Sequence, residues 1–149
     1  PEPSETVRLV IDQVSGLNLA SPPTQLVTIF DADGKPPMQL TTLANVSVTE
    51  GNSGVKVMSF TLVFNREARG TEIIDLGLVN GTATLNSDFN PLGFPTVQLQ
   101  IGATSKNVAV SIRGDTAAEA DETLFLKVLS ATGMAVADNQ GKGTIVDDD

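Results

Sequence analysis

Thr116-Ala117-Ala118-Glu119-Ala120-Asp121-Glu122-Thr123-Leu124-Phe125-Leu126-Lys127-Val128-Leu129 decides the fold class, because it is the one stretch that reads two ways. Its Ala, Glu and Leu content favours a helix. Its second half places Leu124, Leu126 and Val128 on one side and Phe125 and Lys127 on the other, the period of a strand. All its neighbours carry the same period of two, and they settle the reading. Residues 116–121 are expected as a loop, with room for one helical turn, and 122–130 as a strand.

Working outward, Val108, Val110 and Ile112 alternate with polar neighbours, as do Val97, Leu99 and Ile101. Ile74, Leu76 and Leu78 form an earlier strand. Before it, Met58, Phe60, Leu62 and Phe64 follow the turn Glu50-Gly51-Asn52-Ser53-Gly54. Val46 and Val48 precede that turn, and Thr144 to Val146 close the chain. Near the start, Val7, Leu9 and Ile11 share a face, and Leu26, Val27 and Ile29 follow a loop containing Pro22 and Pro23. Short strands punctuated by Gly, Pro and Asn specify an all-β antiparallel sandwich.

The beginning of the chain repeats its end. Glu2-Pro3-Ser4-Glu5-Thr6-Val7-Arg8-Leu9-Val10 aligns with Glu119-Ala120-Asp121-Glu122-Thr123-Leu124-Phe125-Leu126-Lys127. Val27-Thr28-Ile29-Phe30-Asp31-Ala32-Asp33 resembles Gly143-Thr144-Ile145-Val146-Asp147-Asp148-Asp149, one residue out of step. Residues 1–34 therefore read as the last two strands of a preceding copy, 35–42 as a linker carrying Pro36 and Pro37, and 43–149 as one complete copy. This pattern points to a tandem array.

Composition narrows the function. The chain carries a formal net charge of −9 and has no Cys, His, Trp or Tyr. Without thiol or imidazole there is no Cys/His zinc site, no Ser-His-Asp triad and no disulfide. A carboxylate-pair hydrolase would need a cleft lined with aromatics, and only six Phe are present. The chain is not expected to be an enzyme. The acidic balance argues against nucleic acid and against an anionic membrane surface. No run reaches the length of a membrane span and the start lacks a signal-peptide pattern. The chain thus reads as a soluble excised piece, and any export signal or anchor would lie outside it.

The acids are not scattered. If successive strands alternate in direction, the turn at Glu50, the loop with Asp88, the loop with Asp115 and Glu119, and the closing Asp147, Asp148 and Asp149 all fall at one end of the sandwich. The other end offers little beyond Glu67 and Asp138. Any one of these acids alone is an ordinary surface residue. Seven at one pole repel, and divalent cations would offset that repulsion. Oxygen ligands on flexible loops suit Ca²⁺, which takes 6–8 oxygens, better than Mg²⁺ with its stricter octahedron. The number of carboxylates suits two or more clustered ions.

These features together resemble the Calx-β domain, first recognised in sodium/calcium exchangers. The matching pieces are Val48-Thr49-Glu50-Gly51, Asn80-Gly81-Thr82-Ala83 with Ser87-Asp88-Phe89, Ser105-Lys106 to Ile112, Asp115 to Glu119, Glu122-Thr123-Leu124 and Asp147-Asp148-Asp149. The resemblance implies an immunoglobulin-like antiparallel β-sandwich of about seven strands whose distal loops bind Ca²⁺. It assigns the exchanger ligands to Glu50, Asp88, Asp115, Glu119, Asp147, Asp148 and Asp149. Where the family often has two acids at the end of the fifth strand, this chain has Gly114 before Asp115, which removes a ligand. Glu122 also matches a family acid, with a structural role as the alternative.

The expected function is a Ca²⁺-binding structural and interaction module of a large extracellular tandem-repeat protein, its ions clamping the distal loops and stiffening the junction to a neighbouring repeat. Two alternatives stand beside it. One is a Ca²⁺-sensing regulatory domain of an exchanger-like transporter. The other is a metal-independent spacer or adhesin that self-associates by strand addition through residues 1–34. The absence of Cys, Trp and Tyr leans towards a bacterial cell surface.

Overall fold

The structure, a computed structural model, describes residues 5–10, 24–29, 37–92 and 96–149. The chain divides into two units, Pro1–Pro37 and Met38–Asp149. In the first, β1 (Glu5–Val10) and β2 (Thr24–Ile29) form an antiparallel hairpin. Ile11, the loop with Pro22 and Pro23, and Asp31 to Pro36 lie outside the described residues.

The second unit is an immunoglobulin-like sandwich of two five-stranded sheets. One sheet runs β4 (Val46–Thr49), β12 (Gln140–Val146), β10 (Glu122–Thr132), β6 (Ile73–Asn80), β8 (Thr96–Gln98). The other runs β11 (Ala135–Val136), β3 (Gln39–Leu43), β5 (Val55–Phe64), β9 (Ser105–Arg113), β7 (Phe89–Leu92). No helix occurs among the described residues; 114–121 is loop and the ambiguous stretch is strand from Glu122 onward.

Alternation explains which faces meet. Met58, Phe60, Leu62 and Phe64 of β5 point inward beside Val108, Val110 and Ile112 of β9. Ile74, Leu76, Leu124, Leu126 and Ile145 supply the opposite face. The inward positions of β12 include Gly141 and Gly143. A β-carbon on Gly143 would stand 2.5 Å from Met58 Sδ and 3.0 Å from the Phe60 ring, so glycine makes room for the largest side chains of β5. At Leu129 the β10–β6 register slips, and this bulged residue turns outward, 66% exposed.

Among the described residues ten strands form this unit, where about seven were expected. Three short ones account for the difference. β3 begins inside the expected 35–42 linker: residues 39–42 pair with β5 through a bulge that breaks their alternation. β7 holds Pro91 at a sheet edge, where a missing N–H costs no ladder bond. β11 has two residues. Conversely, the strand expected through Ile101 ends at Gln98; Leu99 stays buried with its N–H donating to Glu72 O at 3.0 Å, while Ile101 is 83% exposed.

The pairings fix direction. β3, β4, β6, β9 and β12 run towards one pole, and β5, β7, β8 and β10 run away from it. The loops 50–54, 81–88 and 114–121 and the residues after Val146 share that pole. The count survives the extra strands because each runs in the same direction as the strand after it: β3 with β4, β7 with β8, and β11 with β12.

Candidate metal centre

Two strand ends deliver the closing acids to the first turn. β12 runs parallel to β4 with Val146 opposite Thr49, so Asp147 to Asp149 emerge beside Glu50 to Asn52. The Glu50 N–H donates to Val146 O at 3.1 Å and the Gly51 N–H to Asp148 Oδ1 at 2.8 Å. Asn52 Nδ2 donates to Asp149 Oδ1. Asp147 N–H reaches Asp121 Oδ1 at 3.4 Å, and Asp147 Oδ1 is buried without a hydrogen-bond partner.

Glu50 is only 7% exposed. Burial pushes its carboxyl above the ordinary range, and the charges of Asp115, Asp147, Glu119 and Asp149 push it further. Asp149 is raised too, by desolvation and then by Asp148, Asp147 and Asp115. A second group gathers at the start of β10. Glu122 is raised to about 7 by burial, then by the charge and hydrogen bond of Asp88, then by Glu119 and Glu50. Glu50 and Glu119 belong to both groups.

The loops hold their acids by local bonds. Asp88 Oδ2 accepts Thr84 N–H at 2.7 Å and Asp88 O accepts Arg113 N–H at 2.8 Å, tying the loop to the end of β9. Asp115 Oδ1 accepts Ala117 N–H at 2.8 Å. Gly114 lies against the first turn: a β-carbon there would overlap the Gly51 carbonyl oxygen and stand 2.7 Å from Glu50 O. Beside it, an open depression of about 540 Å³ between residues 52–55 and the end of β9 is lined by a single acid, Asp115, together with Arg113. It holds no carboxylate pair for hydrolysis.

Glu50, Asp115, Glu119, Asp147 and Asp149 are thus brought within electrostatic reach of one another, and Asp88 joins through Glu122. Asp148 stands differently, one oxygen committed to the Gly51 amide. Among the described residues no three acids stand in an arrangement closed enough to hold an ion as placed. Sequence reasoning passed over Asp121 and Asn52 and left Glu122 undecided. The β10–β12 register carries the signal: Glu122 faces Ile145, so Asp121 falls opposite Val146 and within reach of the next amide, that of Asp147.

The opposite pole gives the contrast. Glu72, 1% exposed, accepts N–H donors from Arg69 at 2.9 Å, Gly70 at 3.0 Å and Thr71 at 3.2 Å. Burial would raise its carboxyl, but these amides with its own N–H hold it below the ordinary range. Asp138 Oδ2 likewise accepts Leu43 N–H at 2.9 Å. Both of these acids are satisfied by the backbone.

No curated protein matches the chain. Among solved structures, it is similar to one described as the apo form of the Calx CBD1 domain, with a TM-score of 0.59, 15% identity, and coverage of 76% of this chain and 100% of that one. It is also similar to CBD12 from CALX1.2, with a TM-score of 0.60 and 19% identity, covering 75% of this chain but 45% of that longer one. At these identities the likeness is one of fold. The Calx-beta domain family model matches residues 39–149, from the first residue of β3 to the last of the acidic triplet, and the chain belongs to that family.

Proposed function

We propose that the acidic pole is a Ca²⁺ site and that the domain is a Ca²⁺-stiffened structural module. The observation that carries this reading is the contrast between two buried glutamates. Glu72 is surrounded by N–H donors and held ionised, whereas Glu50 is surrounded by acids and pushed towards protonation. What Glu50 lacks is positive charge. The orphaned Asp147 Oδ1 points to the same deficit, and an all-oxygen donor set fits a hard cation.

Glu50, Asp115, Glu119, Asp147 and Asp149 would hold one ion, with Asp88 and Glu122 beside a second. The cation supplies charge neutralisation, drawing loop 114–121 and the end of β12 onto the 50–54 turn. As the seven-acid resemblance implied Asp148 to be a ligand, its role here combines one free oxygen with one that anchors Gly51. An extracellular repeat module fits weak binding, on the order of 10⁻⁴–10⁻³ M. A transporter's sensor domain, the reading nearest to the Calx structures, would bind more tightly.

Calorimetric titration of the 149-residue chain with Ca²⁺ gives both affinity and ion number. Binding that Asp115→Ala and Glu119→Ala abolish supports the site. An unchanged melting temperature in millimolar Ca²⁺ against chelator sinks it.

A further inference from the structure

The hairpin of the first unit and the closing hairpin of the second have the same register, pair for pair. β1 and β2 match Glu5 with Ile29, Thr6 with Thr28, Val7 with Val27, Arg8 with Leu26, Leu9 with Gln25 and Val10 with Thr24. β10 and β12 match Glu122 with Ile145, Thr123 with Thr144, Leu124 with Gly143, Phe125 with Lys142, Leu126 with Gly141 and Lys127 with Gln140. Under the sequence repeat, each pair of the first set is the counterpart of one in the second. The one-residue difference in spacing falls in the connection between the strands.

Register carries information because a slip of one residue would move each apolar position to the opposite face. The shared register places Val7, Leu9 and Ile29 at the positions of Leu124, Leu126 and Ile145, which are at most 2% exposed in the second unit. That hairpin does not stand alone there. β10 pairs along its other edge with β6, antiparallel, and β12 with β4, parallel. Among the described residues β1 and β2 pair only with each other. A two-stranded ribbon is marginal in water, and its open edges are templates for further strands.

We infer that β1 and β2 are the closing hairpin of another sandwich of this same fold. Its open edges take a β6-type strand against β1 and, in parallel, a β4-type strand against β2, both from a preceding copy of the domain. This inference does not draw on the Ca²⁺ reading and stands or falls separately.

The test is a chimera in which residues 38–118 are placed directly before Glu2 of the whole chain, supplying strands equivalent to β3 to β9. Amide hydrogen exchange is compared with that of the 149-residue chain. The expected result is a monomer in which the amides of 5–10 and 24–29 exchange roughly 100-fold more slowly than in the 149-residue chain. Val7→Asp in the chimera should remove that protection and leave 122–127 and 140–145 protected. The inference is overturned if 5–10 and 24–29 exchange equally fast in both proteins while residues 38–149 remain folded. It is overturned equally if the chimera precipitates while the 149-residue chain stays in solution. A 149-residue chain that already dimerises with these amides protected would show instead that the occupant is a second copy of this chain.

Discussion

Gly114 sits beneath the Gly51 carbonyl so closely that no side chain fits between them. From sequence, glycine here reads as a lost acid. In the fold it is what lets the 50–54 turn close onto the end of β9, where the Gly114 N–H donates to Gly54 O at 3.2 Å. Gly114→Asp should therefore not restore a ligand. It should lower stability by about 1–3 kcal/mol, as overpacking does, and leave the number of bound Ca²⁺ no higher. Urea unfolding and calorimetry of this variant check both expectations.

Glu72 should matter to stability and not to Ca²⁺. Glu72→Ala leaves the amides of Arg69, Gly70 and Thr71 without their acceptor at a buried position. The expected loss is about 3 kcal/mol, equal in Ca²⁺ and in chelator. The depressed carboxyl contributes stability above the ordinary pKa of 4.5 that is lost as pH falls through its folded value. Acid unfolding of the wild-type chain should be steeper than that of the variant.

At the acidic pole the pH dependence has the opposite sign. Glu122 titrates at about 7 in the folded chain against 4.5 ordinarily, so folding favours its protonated form. That contribution is fully present below pH 4.5 and is lost as pH rises through 7; Glu50 shifts in the same direction. In chelator, the melting temperature should fall between pH 5 and 7.5, and Glu122→Gln should flatten the slope. Saturating Ca²⁺ should reverse the trend, because the cation competes with protons for the same oxygens.

Asp147 tests the orphaned oxygen directly. Asp147→Asn keeps the shape, removes one charge from around Glu50 and offers a donor. Without metal the variant should melt several degrees above wild type. With millimolar Ca²⁺ the order should invert. Two thermal scans, one in each condition, decide it.

Much of this was legible in the sequence where a strand keeps its period. Residues 58–64, 108–112 and 124–128 each bury one face, and their alternation is visible without coordinates. Counting strand ends then placed the acid-bearing loops at one pole, and the parity survived because each overlooked strand runs in the same direction as the strand that follows it. β3 escaped because its bulge between Leu40 and Thr42 shifts the spacing of its buried residues, Leu40 and Leu43. β7 escaped because Pro91 reads as loop until its edge position is known. The roles of Asp121 and Asn52 depend on which residues face each other across β10, β12 and the first turn. Alternation specifies a face, and it does not specify a neighbour.

The parallel pairing of β4 with β12 also determines how the domain would bear load. Residue 38 lies at one end of the sandwich and residue 149 at the other, so tension between them runs along the strands. β12 is laddered on both sides, to β4 and to β10. Ladder bonds lie across the strands, so a pull on residue 149 shears them together and does not peel them apart one by one. Geometry of this kind would make the sandwich resist extension along its strands, with the Gly51–Asp148 and Asn52–Asp149 contacts bracing the end of β12.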